Sequence, residues 1–148
     1  MTERMIVRQN NRFETEFLSI DPHQPESQEF MPVESIHDLT PYGMLLAGIA
    51  GCTAIVLHTY AQNHGLDLRE VELRLVYDRV FKEDCENCEG IDRYTERIEE
   101  EIILVGELEE RERERLFSVS KQCPIHKMIE DGTEIHSELI SKPEAMAR

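Results

Sequence analysis

Apolar and charged residues alternate along Glu70 to Tyr77: Val71, Leu73, Leu75 and Tyr77 fall on one side, Glu70, Glu72 and Arg74 on the other. That period of two predicts a strand with one buried face. A shorter alternation, Phe13, Thr15 and Phe17 against Glu14 and Glu16, follows the turn-forming pair Asn10-Asn11, so residues 5–18 are predicted as a hairpin. Residues 21–37 hold three prolines and little periodicity. They are expected to be loop with a short strand around Phe30 to Val33.

The period then changes. Thr40-Pro41 pairs a capping hydroxyl with proline at the first helical position, and a helix is predicted from there to about Asn63, with Gly65 as its stop. Leu45, Leu46, Ile49, Cys52, Ile55, Val56 and Tyr60 cover nearly every face, the pattern of a core helix. Gly48 and Gly51 each weaken it by up to ~1 kcal/mol against alanine, a cost expected to be offset by close approach of another backbone. Beyond the strand at 71–77 comes a polar insert, Lys82 to Glu96. Ile98, Ile102 and Leu104 suggest the next strand, closed by Gly106. Residues 107–122 are predicted helical, with Glu107–Arg111 and Glu109–Arg113 as helix-spaced pairs and a thin apolar stripe of Leu108, Leu116 and Val119. Pro124 interrupts. A short helix over Ile125 to Glu130, an Asp131-Gly132 turn and a last strand, Glu134 to Ile140, complete the pattern, and a frayed tail is expected over 141–148. Strands and helices in this order indicate an α+β fold, with one domain over residues 1–140.

A length of 148 residues suits a single core. The formal net charge of −15 argues against nucleic acid or an anionic membrane as partner, since both demand clustered Lys and Arg. The most apolar run, Met44 to Leu57, is short for a bilayer span and is expected to be buried in protein. No basic-then-apolar leader opens the sequence, so a cytoplasmic location is expected. In that setting four cysteines point to redox, catalytic or metal chemistry rather than a structural disulfide framework.

A thiol becomes a nucleophile as the thiolate, which needs a positive or dipolar neighbourhood. Cys123 immediately precedes a helix start, where unpaired N–H groups would face its sulfur. Cys52 lies mid-helix; buried there it is inert, unless a cation or hydrogen-bond donor reaches it. Cys85 and Cys88 form a CxxC in an acidic loop, Lys82 to Glu89. Two cysteines are half a zinc site, and a zinc ion, a disulfide or an unpaired loop motif all remain open. His58, on the core helix, fits a hydrogen-bonded interior group. His126 lies near Cys123 and can be either an exposed helix residue or a modulator of that thiol.

The stretch Thr40-Pro41-Tyr42-Gly43-Met44-Leu45-Leu46-Ala47-Gly48-Ile49-Ala50-Gly51-Cys52-Thr53-Ala54 resembles the cysteine helix of the OsmC/Ohr family, and Cys123-Pro124-Ile125-His126 resembles its second cysteine motif. The resemblance spans residues 1–140. It implies an OsmC-like fold, antiparallel sheets packed around a central buried helix, in an intertwined homodimer. It also implies a thiol peroxidase that needs no cofactor: Cys52 as the peroxidatic residue, Cys123 as the resolving one, organic hydroperoxides as substrates, and a dithiol or lipoyl-type reductant. The family's activating arginine comes from the first hairpin, where Arg12 fits better than Arg8, and its partner glutamate aligns with Tyr42. That departure leaves a second reading, a metal- or ligand-binding OsmC-like protein without peroxidase activity, and a third, a purely structural acidic dimer.

Overall fold

The computed structural model describes residues 2–24, 26–81 and 94–141. One five-stranded antiparallel sheet carries the domain, in the order β3-β2-β1-β4-β5. Its strands are β1 (Thr2–Asn10), β2 (Thr15–Ile20), β3 (Phe30–Pro32), β4 (Glu70–Phe81) and β5 (Tyr94–Val105). Among the described residues three α-helices accompany them, α1 (Pro41–Asn63), α2 (Glu110–Ser120) and α3 (Pro124–Asp131), with a 3-10 turn at Ile36–Asp38.

The alternation along β4 is reproduced residue for residue. Val71, Leu73, Leu75 and Tyr77 are buried, and opposite them on β1 lie Gln9, Val7, Met5 and Glu3. Met5, Val7 and Gln9 share the buried face. α1 crosses that face, contributing Leu46, Ile49, Ala50, Ala54, Leu57 and Ala61 to the core, with Leu116 of α2 closing one side. Fully burying one leucine of this set is worth about 1.5–3 kcal/mol.

The ends of α1 follow from its sequence. Thr40 caps it, its side-chain oxygen accepting from the Gly43 N–H at 3.0 Å, and Pro41 fills the first turn. Gly65 leaves it with φ +64, a conformation cheap only for glycine. Gly106, after β5, is required for a different reason: a Cβ there would run into the Asp67 carbonyl oxygen. At 23 residues α1 is long and apolar enough to cross a membrane, longer than its apolar run alone suggests. Here it packs on β1, β2, β4 and the other two helices.

Several expectations need correction. α1 is not covered on all faces: Met44, Leu45 and Ile55 are 38%, 38% and 50% exposed, a stripe that also includes Gly48 and part of Cys52. The reason is that a single sheet covers one side of a helix only. Gly51 is approached by the Phe17 ring at 3.7 Å rather than by a backbone, and Gly48 faces open space. Phe13 belongs to the hairpin turn, at φ 64, because the Asn10 side chain accepts from the Arg12 and Glu14 N–H groups and winds the chain there. Residues 134–140 form no strand; Ile135 and Leu139 are 85% and 98% exposed. An alternating segment becomes a strand only beside a sheet edge, and none reaches it in the protomer. Arg113 does not pair with Glu109 but donates to the Leu104 and Gly106 carbonyls at 2.8 and 3.2 Å, tying α2 to the end of β5.

A candidate dithiol site between α1 and α3

α3 starts where Cys123 ends the preceding turn, and Pro124 opens it because a proline costs nothing at a position whose N–H would go unpaired. Cys123 is fully buried. Its sulfur lies 2.7 Å from the sulfur of Cys52, at the middle of α1. Two cysteines far apart in sequence thus meet where α3 leans on α1.

The two sulfurs have different surroundings. Burial pushes the Cys52 thiol above its ordinary range, the neighbouring Cys123 thiol adds to this, and a hydrogen bond from the Ile125 N–H opposes it. The N–H at the start of α3 therefore serves the Cys52 sulfur, not the Cys123 sulfur as the sequence suggests. The chain brings it there because Cys123 occupies the position just before the helix and turns its own sulfur toward α1.

A cavity of about 400 Å³ opens between α1, α3, β4 and β5; neither cysteine lines it, but Ile49, three residues before Cys52, and His126, three after Cys123, do, which brings it within about one helical turn of the two thiols. Leu45, Ile49, Ile98 and Ile129 give it apolar walls, and Tyr77, Glu96, Glu100, His126 and Glu130 give it polar ones. Leu45, Ile49 and Cys52 share one stripe of α1 by helical spacing. His126 sits 2.9 Å from Glu130 on the same helix. Burial lifts the Glu100 carboxyl above its usual range, opposed by His126.

At the same end of α1 as Leu45, Tyr42 stacks on Tyr77 with ring centroids 4.4 Å apart. The Arg79 guanidinium donates to the Tyr42 hydroxyl at 2.6 Å and lies 3.7 Å from Glu96, which also accepts from the Tyr77 hydroxyl at 2.9 Å. An arginine does meet the residue at the glutamate position, but it comes from β4. Sequence reasoning missed Arg79 and Glu100. Arg79 continues the row Val71, Leu73, Leu75, Tyr77 by two, and extending that strand by one residue pair would have found it. Glu100 hides in the run Glu99-Glu100-Glu101, whose middle member shares the inner face with Ile98 and Ile102.

Arg12 lies on the surface of the hairpin turn. The neighbouring Asn11 carbonyl accepts from Gln62, ten residues beyond Cys52 on α1 and so about 15 Å along the helix. That exceeds the reach of a guanidinium within one protomer. His58 is the satisfied interior group its position suggests, Nε2 lying 2.8 Å from the Gln9 carbonyl oxygen. Cys85 and Cys88 lie outside the described residues, and the question of zinc or disulfide there rests on sequence alone.

The fold is similar to that of an OsmC-like hydroperoxide resistance protein from Jannaschia sp. CCS1, with a TM-score of 0.59, 15% sequence identity and 96% of each chain covered. No curated protein matches the sequence. The family model described as OsmC-like protein matches residues 34–138. That span runs from the loop before α1 through both cysteines, and the chain belongs to the OsmC-like family.

Proposed function

We propose that the protein is a cysteine-based peroxidase that reduces organic hydroperoxides in the cytoplasm. The observation that carries this reading is the 2.7 Å approach of the Cys52 and Cys123 sulfurs, with an apolar-walled cavity about one helical turn away. Hydroperoxide resistance in a protein of similar fold, and membership of the OsmC-like family, support the same class of chemistry. The Cys52 thiolate attacks one peroxide oxygen, the O–O bond breaks, and the organic fragment leaves as an alcohol after taking a proton. Cys52 is left as a sulfenic acid. The Cys123 thiol displaces its hydroxyl as water and closes a disulfide, which an external dithiol or lipoyl-type reductant opens by exchange. No cofactor enters this cycle.

Roles follow from position. Cys52 is partly exposed and Cys123 is sealed, so in this reading the oxidant meets Cys52 first. The Ile125 N–H favours the thiolate there. Burial works against it, and a cation has to make up the difference. The uncovered apolar stripe of α1, which includes Cys52, supports a homodimer in which a second copy covers it, and Arg12 of that copy is the proposed activating cation. The experiment is hydroperoxide consumption with dithiothreitol, comparing wild type with Cys52→Ser; equal rates would remove the reading. The raised Cys52 thiol and the tyrosine at position 42 favour one alternative, a ligand-binding OsmC-like protein in which the dithiol is not turned over.

A further inference from the structure

We infer that the cavity between α1, α3 and β5 takes up the organic group of the substrate and selects against negatively charged hydroperoxides, and that Glu100 is the residue that sets this selection. The inference rests on the peroxidase reading and names its substrate class: hydroperoxides with an uncharged organic group, and not those with a free carboxylate such as fatty-acid hydroperoxides.

The sheet register identifies Glu100 as out of place. It pairs with Leu75, which is 1% exposed, so it occupies the inner row of β5 between Ile98 and Ile102. A charged residue in a core-facing row breaks the pattern that folds the strand, and such breaks concentrate where function demands them. Here the carboxyl looks into the cavity instead of into packed side chains.

The remaining charges that the protomer's described residues place around that space have the same sign or are already matched, and Arg12 of the second copy, in the peroxidase reading, is matched by the Cys52 thiolate. Glu96 lines it from β5 and Glu130 from α3. Among the described lining residues the group able to carry positive charge is His126, which lies 2.9 Å from Glu130. Arg79, outside the lining, is directed at Tyr42 and Glu96. An entering carboxylate would give up its water beside apolar walls and a like-charged neighbour, or else take up a proton. Like charges brought together in this way disfavour binding strongly. An ester or an aryl group meets Leu45, Ile49, Ile98 and Ile129 with no such penalty. Rejection by an unfavourable contact, layered on general apolar attraction, is how a loose pocket becomes specific.

The test compares linoleic acid hydroperoxide with its methyl ester at neutral pH, dithiothreitol as reductant and cumene hydroperoxide as the reference substrate. Wild type should consume the ester at least about tenfold faster than the acid in kcat/KM, and Glu100→Gln should cut that ratio several-fold. Equal rates for acid and ester in wild type, or a ratio that Glu100→Gln leaves unmoved, would overturn the inference. Loss of all three activities would sink the peroxidase reading instead. The cavity is then read without redox chemistry, by ligand-observed NMR with methyl hexanoate and hexanoate on Cys52→Ser. The ester alone should give a binding signal, Glu100→Gln in the same background should let hexanoate in, and Ile129→Trp should abolish both by filling the space. Hexanoate binding as well as its ester, with Glu100 intact, refutes the selection.

Discussion

Cys52 and His58 lie six residues apart on α1, and their fates differ. His58 is sealed at 1% exposure, its Nε2 2.8 Å from the Gln9 carbonyl oxygen and its ring met edge-on by Phe13. Cys52 stands partly open on the uncovered stripe, with a second thiol at 2.7 Å. Burial pushes both toward their neutral forms, His58 downward and Cys52 upward. Desolvation therefore does not mark the site. What separates the two is the partner: a carbonyl and an aromatic ring can only hold His58, whereas a thiol, a helix-start N–H and partial exposure give Cys52 something to react with and a way in.

The largest effect expected from breaking that contrast is at the sulfurs. Cys52→Ser should reduce hydroperoxide turnover to background, while Cys123→Ser should allow a single turnover and leave a sulfenic acid that dimedone traps, because only the first sulfur meets the oxidant. Equal residual activity in the two variants would contradict the assignment of roles.

Next comes packing. Leu57 is fully buried on the sealed side of α1 and Ile55 is half-exposed on the open one. Leu57→Ala should cost about 2–5 kcal/mol in denaturant unfolding. Ile55→Asp should leave the protomer's fold intact and instead shift sedimentation from dimer to monomer. A monomeric wild type at micromolar concentration would remove the dimer and, with it, the route by which Arg12 reaches Cys52.

The sequence made this contrast legible wherever local patterning and burial agree. Thr40, Pro41 and Gly65 mark the ends of α1 because capping and chain reversal are local events. The β4 row is read from alternation because one of its faces is wet. Legibility failed where the deciding contact comes from far away in the chain. An all-round apolar helix predicts full burial, but the single sheet of this protomer covers one side, and nothing local says which. The alternation at 134–140 is real, yet no sheet edge receives it. Glu100 sits in a glutamate run that looks solvated until the register with Leu75 turns it inward. The dithiol itself was legible only through resemblance, since no spacing rule brings Cys52 to Cys123.

A smaller effect tests the sealed side. The folded-state pKa of His58 is depressed by burial, so the unfolded chain binds its proton more readily. Stability then falls as pH drops below the ordinary histidine value, about 6.5, and continues to fall until the folded value is reached. Each unit of depression is worth ~1.4 kcal/mol over that window. His58→Gln, which can still donate to the Gln9 carbonyl, should flatten the acid limb of stability below that pH. An unchanged slope would mean that other groups carry it.

The smallest effect decides how the open side is activated. In the protomer alone, burial holds the Cys52 thiol above its ordinary range and one N–H opposes it. A guanidinium arriving from a second copy would favour the thiolate, each unit of lowering being worth ~1.4 kcal/mol. Iodoacetamide alkylation of Cys52, followed by peptide mass spectrometry against pH in a Cys123→Ser background, reads this directly. The monomeric Ile55→Asp variant should titrate at higher pH than the dimer. Arg12→Ala in the dimer should move the curve toward that of the monomer, and Arg8→Ala should not, because the Arg8 guanidinium is held by Glu72 at 2.6 Å and Glu16 at 3.5 Å on the sheet. If the Arg12→Ala curve coincides with that of the dimer, Arg12 is not the activating group. Arg79→Ala is then the next variant, since its guanidinium already meets the hydroxyl of Tyr42 where the family's glutamate would stand.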